Sequence, residues 1–161
     1  MGSAAIIREV ADIIATYKAQ QIHVVVVSSA MSGVTNQLLK VGHMASENDE
    51  TYLDILREIE ALHFKTIKEL IAVKNQSHVL AGVKKMINEL EDLMHGVFLL
   101  KELSLRTTDL LLSFGERMSC FIIHEYAIQE GLDTELLDAR MVIRTDNRFG
   151  KARVDDAITH R

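Results

Sequence analysis

The stretch that most constrains this 161-residue chain is Ile22–Asn36, which reads I-H-V-V-V-V-S-S-A-M-S-G-V-T-N. It opens on a β-branched run, Ile22 then Val24 to Val27, interrupted only by His23. Such a run lacks the alternation of a half-exposed strand and suits an inner strand of a parallel sheet with helices on both faces. The run ends at Ser28, Ser29 and Ala30, with Gly33 close behind, so small residues leave the backbone open to a ligand. From about Asn36 to Ala45 the pattern turns helical. Ligands of open α/β sheets bind beyond the carboxyl ends of strands, and a helix amino end there presents free N–H groups and partial positive charge to an anion. Ser29–Asn36 is therefore the candidate site, although the same spacing also fits an ordinary strand–loop–helix connection.

Helical periodicity fills most of the remainder. Ser3 is placed to cap a helix running to about Lys18, whose Ile6, Ile7, Val10, Ile13 and Ile14 share a face that would pack on the sheet. Ser46–Glu50 reads as a loop. From about Thr51 to Leu105 the spacing predicts two helices with a turn at Lys74–Ser77. In the second, Val79, Val83, Met86, Leu90, Leu93 and Val97 recur at steps of four and three, as in a heptad seam. A helical hairpin packed on itself explains this more simply than an intermolecular coiled coil. A further helix, capped by Thr107 or Thr108, ends before Gly131, a suitable residue for the position after a helix. That helix is apolar on more than one side, so Glu116 within it stands out: a carboxylate is seldom buried without a partner. It is either paired with an arginine such as Arg117 or held ready for a ligand cation. Thr134–Asp138 and Met141–Ile143 read as short strands.

Composition narrows the classes. The formal charge of −5 with no basic stripe argues against a nucleic-acid binder. No apolar stretch reaches the length of a membrane span, and no signal-peptide profile opens the chain. The single cysteine, Cys120, rules out an internal disulfide and fits a reducing cytoplasm; among Met118, Phe121 and Ile122 it reads as a buried, inert thiol. Seven histidines, His23 through His160, show no metal-ligand spacing and read as surface or satisfied structural residues. No G-x-x-x-x-G-K-[ST], G-x-G-x-x-G or G-x-S-x-G occurs.

Three blocks, in order, resemble the aspartokinases of the amino-acid kinase family. They are S-S-A-M-S-G-V-T-N, then L-L-S-F-G-E-R-M-S at Leu111–Ser119, then V-I-R-T-D-N-R-F-G-K-A at Val142–Ala152. The opening G-S-A-A-I-I-R-E-V-A-D-I-I is similar to that family's first helix. The resemblance implies a three-layer α/β domain built on a parallel sheet, with the long helical hairpin of residues 51–105 attached. It implies transfer of the γ-phosphoryl of Mg-ATP to the side-chain carboxylate of L-aspartate, with Ser29, Ala30, Thr35 and Glu116 lining the aspartate site. Arg144 and Asp146 match a recurrent segment whose role is either binding or structural. The family's K-F-G-G-T-S and G-R-G-G-S-D segments, which serve the phosphates, do not occur. The chain thus looks like an acceptor-side part, residues 1–161, of a catalytic domain. It is expected to hold no nucleotide and to be inactive alone, with the rest of its domain and a second copy as partners. Two other readings stand beside this one: a non-enzymatic helical interaction module, or a related kinase for another acidic acceptor such as glutamate.

Overall fold

The computed structural model describes residues 3–159; Gly2 and His160 lie outside the described residues. Five long helices carry the fold. They are α1 (Ala4–Ala19), α2 (Val34–Ser46), α3 (Tyr52–Leu70), α4 (Val73–Leu100) and α5 (Leu105–Gln129), followed by two single turns, α6 (Ala139–Val142) and α7 (Asp156–Thr159). α3 and α4 form an antiparallel hairpin, α2 packs against both of them and against α5, and α1 lies across α3 and α5.

Helix ends follow local chemistry. Ser3 caps α1 by accepting from the Ile6 N–H, and Ser104, not Thr107 or Thr108, caps α5 by accepting from the Thr107 N–H at 3.1 Å. Such a cap is worth about 1 kcal/mol. α5 stops at Gly131, whose φ of +76° lets its own N–H reach the Ile128 carbonyl and the Leu132 N–H reach that of Ala127. This paired closure satisfies two orphan carbonyls and favours glycine.

The hairpin turns three residues earlier than the pattern suggests, at Ile71–Ala72, and Lys74–Ser77 belong to α4. Side chains from other elements hold this tight turn. Gln129 of α5 accepts from the Ala72 N–H at 2.6 Å and donates to the Leu70 carbonyl at 3.1 Å. Gln76 donates to the Ile71 carbonyl at 2.8 Å, and the Arg8 guanidinium donates to the Glu69 carbonyl. The free carbonyls at the end of α3 are thereby paired by donors that no local pattern announces. The α4 seam also differs by one residue in two places. Val79, Val83, Ile87, Leu90, Met94 and Val97 are buried, whereas Met86 and Leu93 are only partly covered. The stripe must face α3, α2 and α5 together, and two successive steps of four, Val79–Val83–Ile87, shift it from the expected heptad register.

The expected parallel sheet is not there. Among the described residues no strand forms, and the sole bridge pairs Thr145 with Val154. Exposure along the valine run alternates, 42% at Val24, 89% at Val25, 43% at Val26 and 92% at Val27, as in an extended chain with one side open. β-Branched side chains favour an extended backbone, but a ladder also needs a second backbone about 4.8 Å away. The segment Leu132–Leu137, which contains most of the strand expected at Thr134–Asp138, faces the run across an open cleft of about 720 Å³ instead. Thr134–Asp138 is accordingly irregular, and Met141 and Val142 belong to α6. α1 therefore packs on helices rather than on a sheet; Ala4, Ile7 and Ala11 are buried, while Ile6 and Ile13 stay exposed.

Candidate functional site

Past Ser28 the chain changes character. The Ser28 hydroxyl lies 3.5 Å from that of Ser119 on α5, and the Ser28 carbonyl accepts from the Cys120 thiol at 3.9 Å. Ala30 and Met31 are buried, and Thr66 of α3 directs its hydroxyl at the Met31 sulfur. Gly33 then takes φ +82°, a left-handed conformation that glycine adopts without strain, and turns the chain directly into α2. α2 begins at Val34, two residues before the sequence pattern becomes helical.

This turn leaves α2 with no side-chain cap. The Val34 N–H returns to the Met31 carbonyl and the Gln37 N–H to that of Gly33, while the Thr35 and Asn36 N–H groups have no acceptor among the described residues. Ser29, Ser32 and Thr35 are exposed around these amides. Two free N–H groups, three hydroxyls and the positive end of a 13-residue helix together make an environment suited to carboxylate oxygens.

Glu116 approaches from α5. A Cβ built at Gly115 would stand 2.8 Å from the Ala30 Cβ, so the absence of a side chain is what lets the loop rest on the helix. Glu116 follows at once and is half-buried rather than deeply buried. It makes no hydrogen bond or ion pair among the described residues, and the suggested partner is engaged elsewhere: Arg117 pairs with Glu89 of α4 at 3.2 Å and stacks on the Phe114 ring at 4.5 Å. An unpaired carboxylate thus directly follows the glycine on which the loop rests, one turn from Cys120, whose thiol is pushed up chiefly by burial and also by the Glu116 charge. A raised thiol is a poor nucleophile, which agrees with an inert Cys120.

The third block is joined to the same helix from its other end. The Gly150 N–H donates to Asp109 at 2.8 Å and Arg106 stacks on Phe149, which fastens the segment to the start of α5. Within it, the Asp146 carboxylate accepts from the Arg148 and Arg153 N–H groups, at 3.1 and 3.2 Å. Arg144 is exposed and donates to the Arg140 carbonyl at 3.4 Å. No hydrogen bond links Arg144 or Asp146 to the Ser29–Thr35 loop or to Glu116 among the described residues. The structure sets Ala30, next to Ser29 and five residues before Thr35, against Gly115, next to Glu116, and gives Arg144 and Asp146 local contacts.

Three contributors were not apparent in the sequence: Gly115 as a contact surface, Ser119 as an anchor of Ser28, and Met31 as the pin beneath the loop. The signal for the first two was the spacing of two small residues, four apart, on an otherwise bulky helix. His63 is a different surprise. It is fully buried on α3, its Nδ1 lies 2.7 Å from the Ile59 carbonyl, and its Nε2 has no partner among the described residues. Burial lowers its pKa, so the ring is held neutral.

The model of the amino acid kinase family matches residues 1–160. The chain belongs to that family. Among its relatives are aspartokinase 1 of Arabidopsis thaliana, 37% identical over 86% of this chain, and aspartokinase 2 of the same plant, 35% identical over 85%; both are described as chloroplastic. The aspartokinase of Candida albicans is 27% identical over 88% of the chain. This chain spans about a quarter of these relatives, 24%, 24% and 27% of their lengths. Its backbone also follows Escherichia coli aspartokinase III. The complex with aspartate and ADP superposes with a TM-score of 0.84 over 98% of this chain and 33% of that one, at 24% identity. The complex with lysine and aspartate superposes at 0.71 over 81% of this chain and 28% of that one, at 25% identity. The family resemblance read from the three blocks therefore holds, although the parallel sheet expected with it does not form among the described residues.

Proposed function

We propose that the full-length protein is an aspartate kinase, moving the γ-phosphoryl group of ATP to the side-chain carboxylate of L-aspartate, and that this chain supplies the amino-acid side of the site. The observation that carries the reading is the Ala30–Gly115 contact, which sets the loop leading to the uncapped start of α2 against the residue just before an unpaired carboxylate, Glu116. Aspartate bears one ammonium and two carboxylates. Glu116 is suited to the ammonium; the Thr35 and Asn36 amides and the Ser29 and Thr35 hydroxyls are suited to carboxylate oxygens, with Ala30 forming the floor. The acceptor oxygen is already ionised at neutral pH, so no general base is required of these residues. Their work is to orient that oxygen towards the nucleotide and to balance charge, on which phosphoryl transfer chiefly depends. Arg144 and Asp146 brace their own segment, which Gly150 and Phe149 fasten to α5, and are assigned a structural part.

The test has two arms. Full-length protein incubated with Mg-ATP should form an acyl phosphate from aspartate, trapped with hydroxylamine, and should favour aspartate over glutamate. The 161-residue chain alone should fall short by a factor on the order of 10³–10⁵, the usual cost of removing positioning groups from such a transfer. Equal turnover of glutamate would redirect the proposal to another acidic acceptor, and aspartyl phosphate from the isolated chain would overturn the division into an acceptor side and a donor side.

A further inference from the structure

We infer that Gly115 is a positioning residue whose missing side chain sets the separation between the start of α2 and Glu116, so that this one contact fixes the span of the amino-acid site. The inference rests on the aspartate reading above and assigns it a device. Four observations converge. The Cβ that any other residue would carry at position 115 falls 2.8 Å from the Ala30 Cβ, and 3.4 Å from both Leu38 and Val34 of α2. The Ala30 Cβ is fixed to the backbone and has no rotamer to escape into, so added bulk must move the loop itself. Ala30 and Met31 are buried, and Ser28 is held by Ser119 and Cys120, so the loop resists lifting at one end. It passes into α2 through the single left-handed residue Gly33, so a displacement at Ala30 passes to the Thr35 and Asn36 amides.

The same helix carries both references of the site: Gly115 bears on the loop, and Glu116, one residue on, presents the carboxylate. A methyl group at 115 would leave the chemistry of every ligand-facing group unchanged and alter only their spacing. In sites that work by orientation, a displacement of about 1 Å costs on the order of 10²-fold.

The experiment is a double-mutant cycle in the full-length protein, with KM for aspartate and for ATP measured separately. Gly115→Ala should raise the aspartate KM by about 10–100-fold and leave the ATP KM within about twofold. Ala30→Gly removes the opposing methyl, so Ala30→Gly/Gly115→Ala should recover at least about tenfold of that loss. If Gly115→Ala is too unstable to assay, Ala30→Gly is compared with the double variant, and the methyl at 115 should then change the aspartate KM by less than about threefold. A folded Gly115→Ala protein with an unchanged aspartate KM, or a double variant no better than the single one, overturns the spacing inference and leaves the aspartate reading intact. Wild-type protein without aspartate-dependent turnover overturns both, and that outcome shows in the unmutated enzyme.

Discussion

The two halves of the Ile22–Asn36 stretch behave in opposite ways. Ile22–Val27 is the more hydrophobic half, yet it is exposed, with Val25 and Val27 almost fully open. Ser28–Val34 is the smaller and more polar half, yet it holds Ala30, Met31 and Val34 in the core and bonds to α5 at two points. Burial follows the partner surface, not the hydrophobicity of the segment. α5 offers the second half a groove made by Gly115 and Ser119, and α3 offers a pocket for Met31. The first half would need another backbone beside it, and none lies against it within the described residues. The half expected to carry ligand chemistry is thus the one whose geometry this chain fixes by itself.

The largest effect that separates the halves should come from Met31→Ala. Removing a fully buried side chain beneath the loop costs about 2–5 kcal/mol, from lost transfer energy and the cavity left behind. Urea unfolding of the chain should show this loss, with an unchanged slope; a loss under about 1 kcal/mol would mean the loop is not pinned.

The next prediction concerns pH. The folded pKa of His63 lies below its ordinary value of 6.5, because burial disfavours the charged ring. The unfolded chain therefore binds the extra proton first. Stability contributed by the neutral ring is complete above about pH 6.5 and falls as pH drops below that value, until the folded pKa is passed in turn. His63→Gln should flatten that part of the melting profile. An unaltered pH profile would mean that the ring is not held neutral.

Smallest of all is the effect of Val25→Ser with Val27→Ser. Stability should change by no more than about 0.5 kcal/mol per site, because the side chains are already in water. Self-association should nevertheless decline, since the open run combines apolar side chains with unpaired backbone groups. Light scattering over a concentration series gives the answer. A large drop in melting temperature would show that the run is covered after all.

Most of the helical architecture could be read from local pattern, because caps, periodicity and the closing glycine act within a few residues of one another. Ser3, Gly131 and the α3–α4 hairpin are cases of this. Features set by distant partners could not be read. Gln129 fixed a turn nearly sixty residues away in sequence, whereas the choice of Ser104 over Thr107 and Thr108 as the cap of α5 was a local one that the pattern misplaced. The α4 seam moved from Met86 and Leu93 to Ile87 and Met94 because three helices share it. The sheet is the plainest failure: four consecutive valines describe what a strand prefers, not whether it has a neighbour. For the candidate site, the short blocks pointed to Ser29, Ala30, Thr35 and Glu116, but not to the lack of a Glu116 partner among the described residues or to Gly115 as the place where two blocks touch.

Glu116→Gln in the full-length protein tests the central claim most directly, because it keeps the shape and removes the charge. A charge-assisted hydrogen bond in a partly desolvated site is worth roughly 1.5–3 kcal/mol. At 1.4 kcal/mol per decade, the aspartate KM should therefore rise about 10–150-fold. The ATP KM and the melting temperature should hardly move, since Glu116 has no ion-pair partner to lose among the described residues. An unchanged aspartate KM and kcat, or equal losses for both substrates in a destabilised protein, would contradict the account.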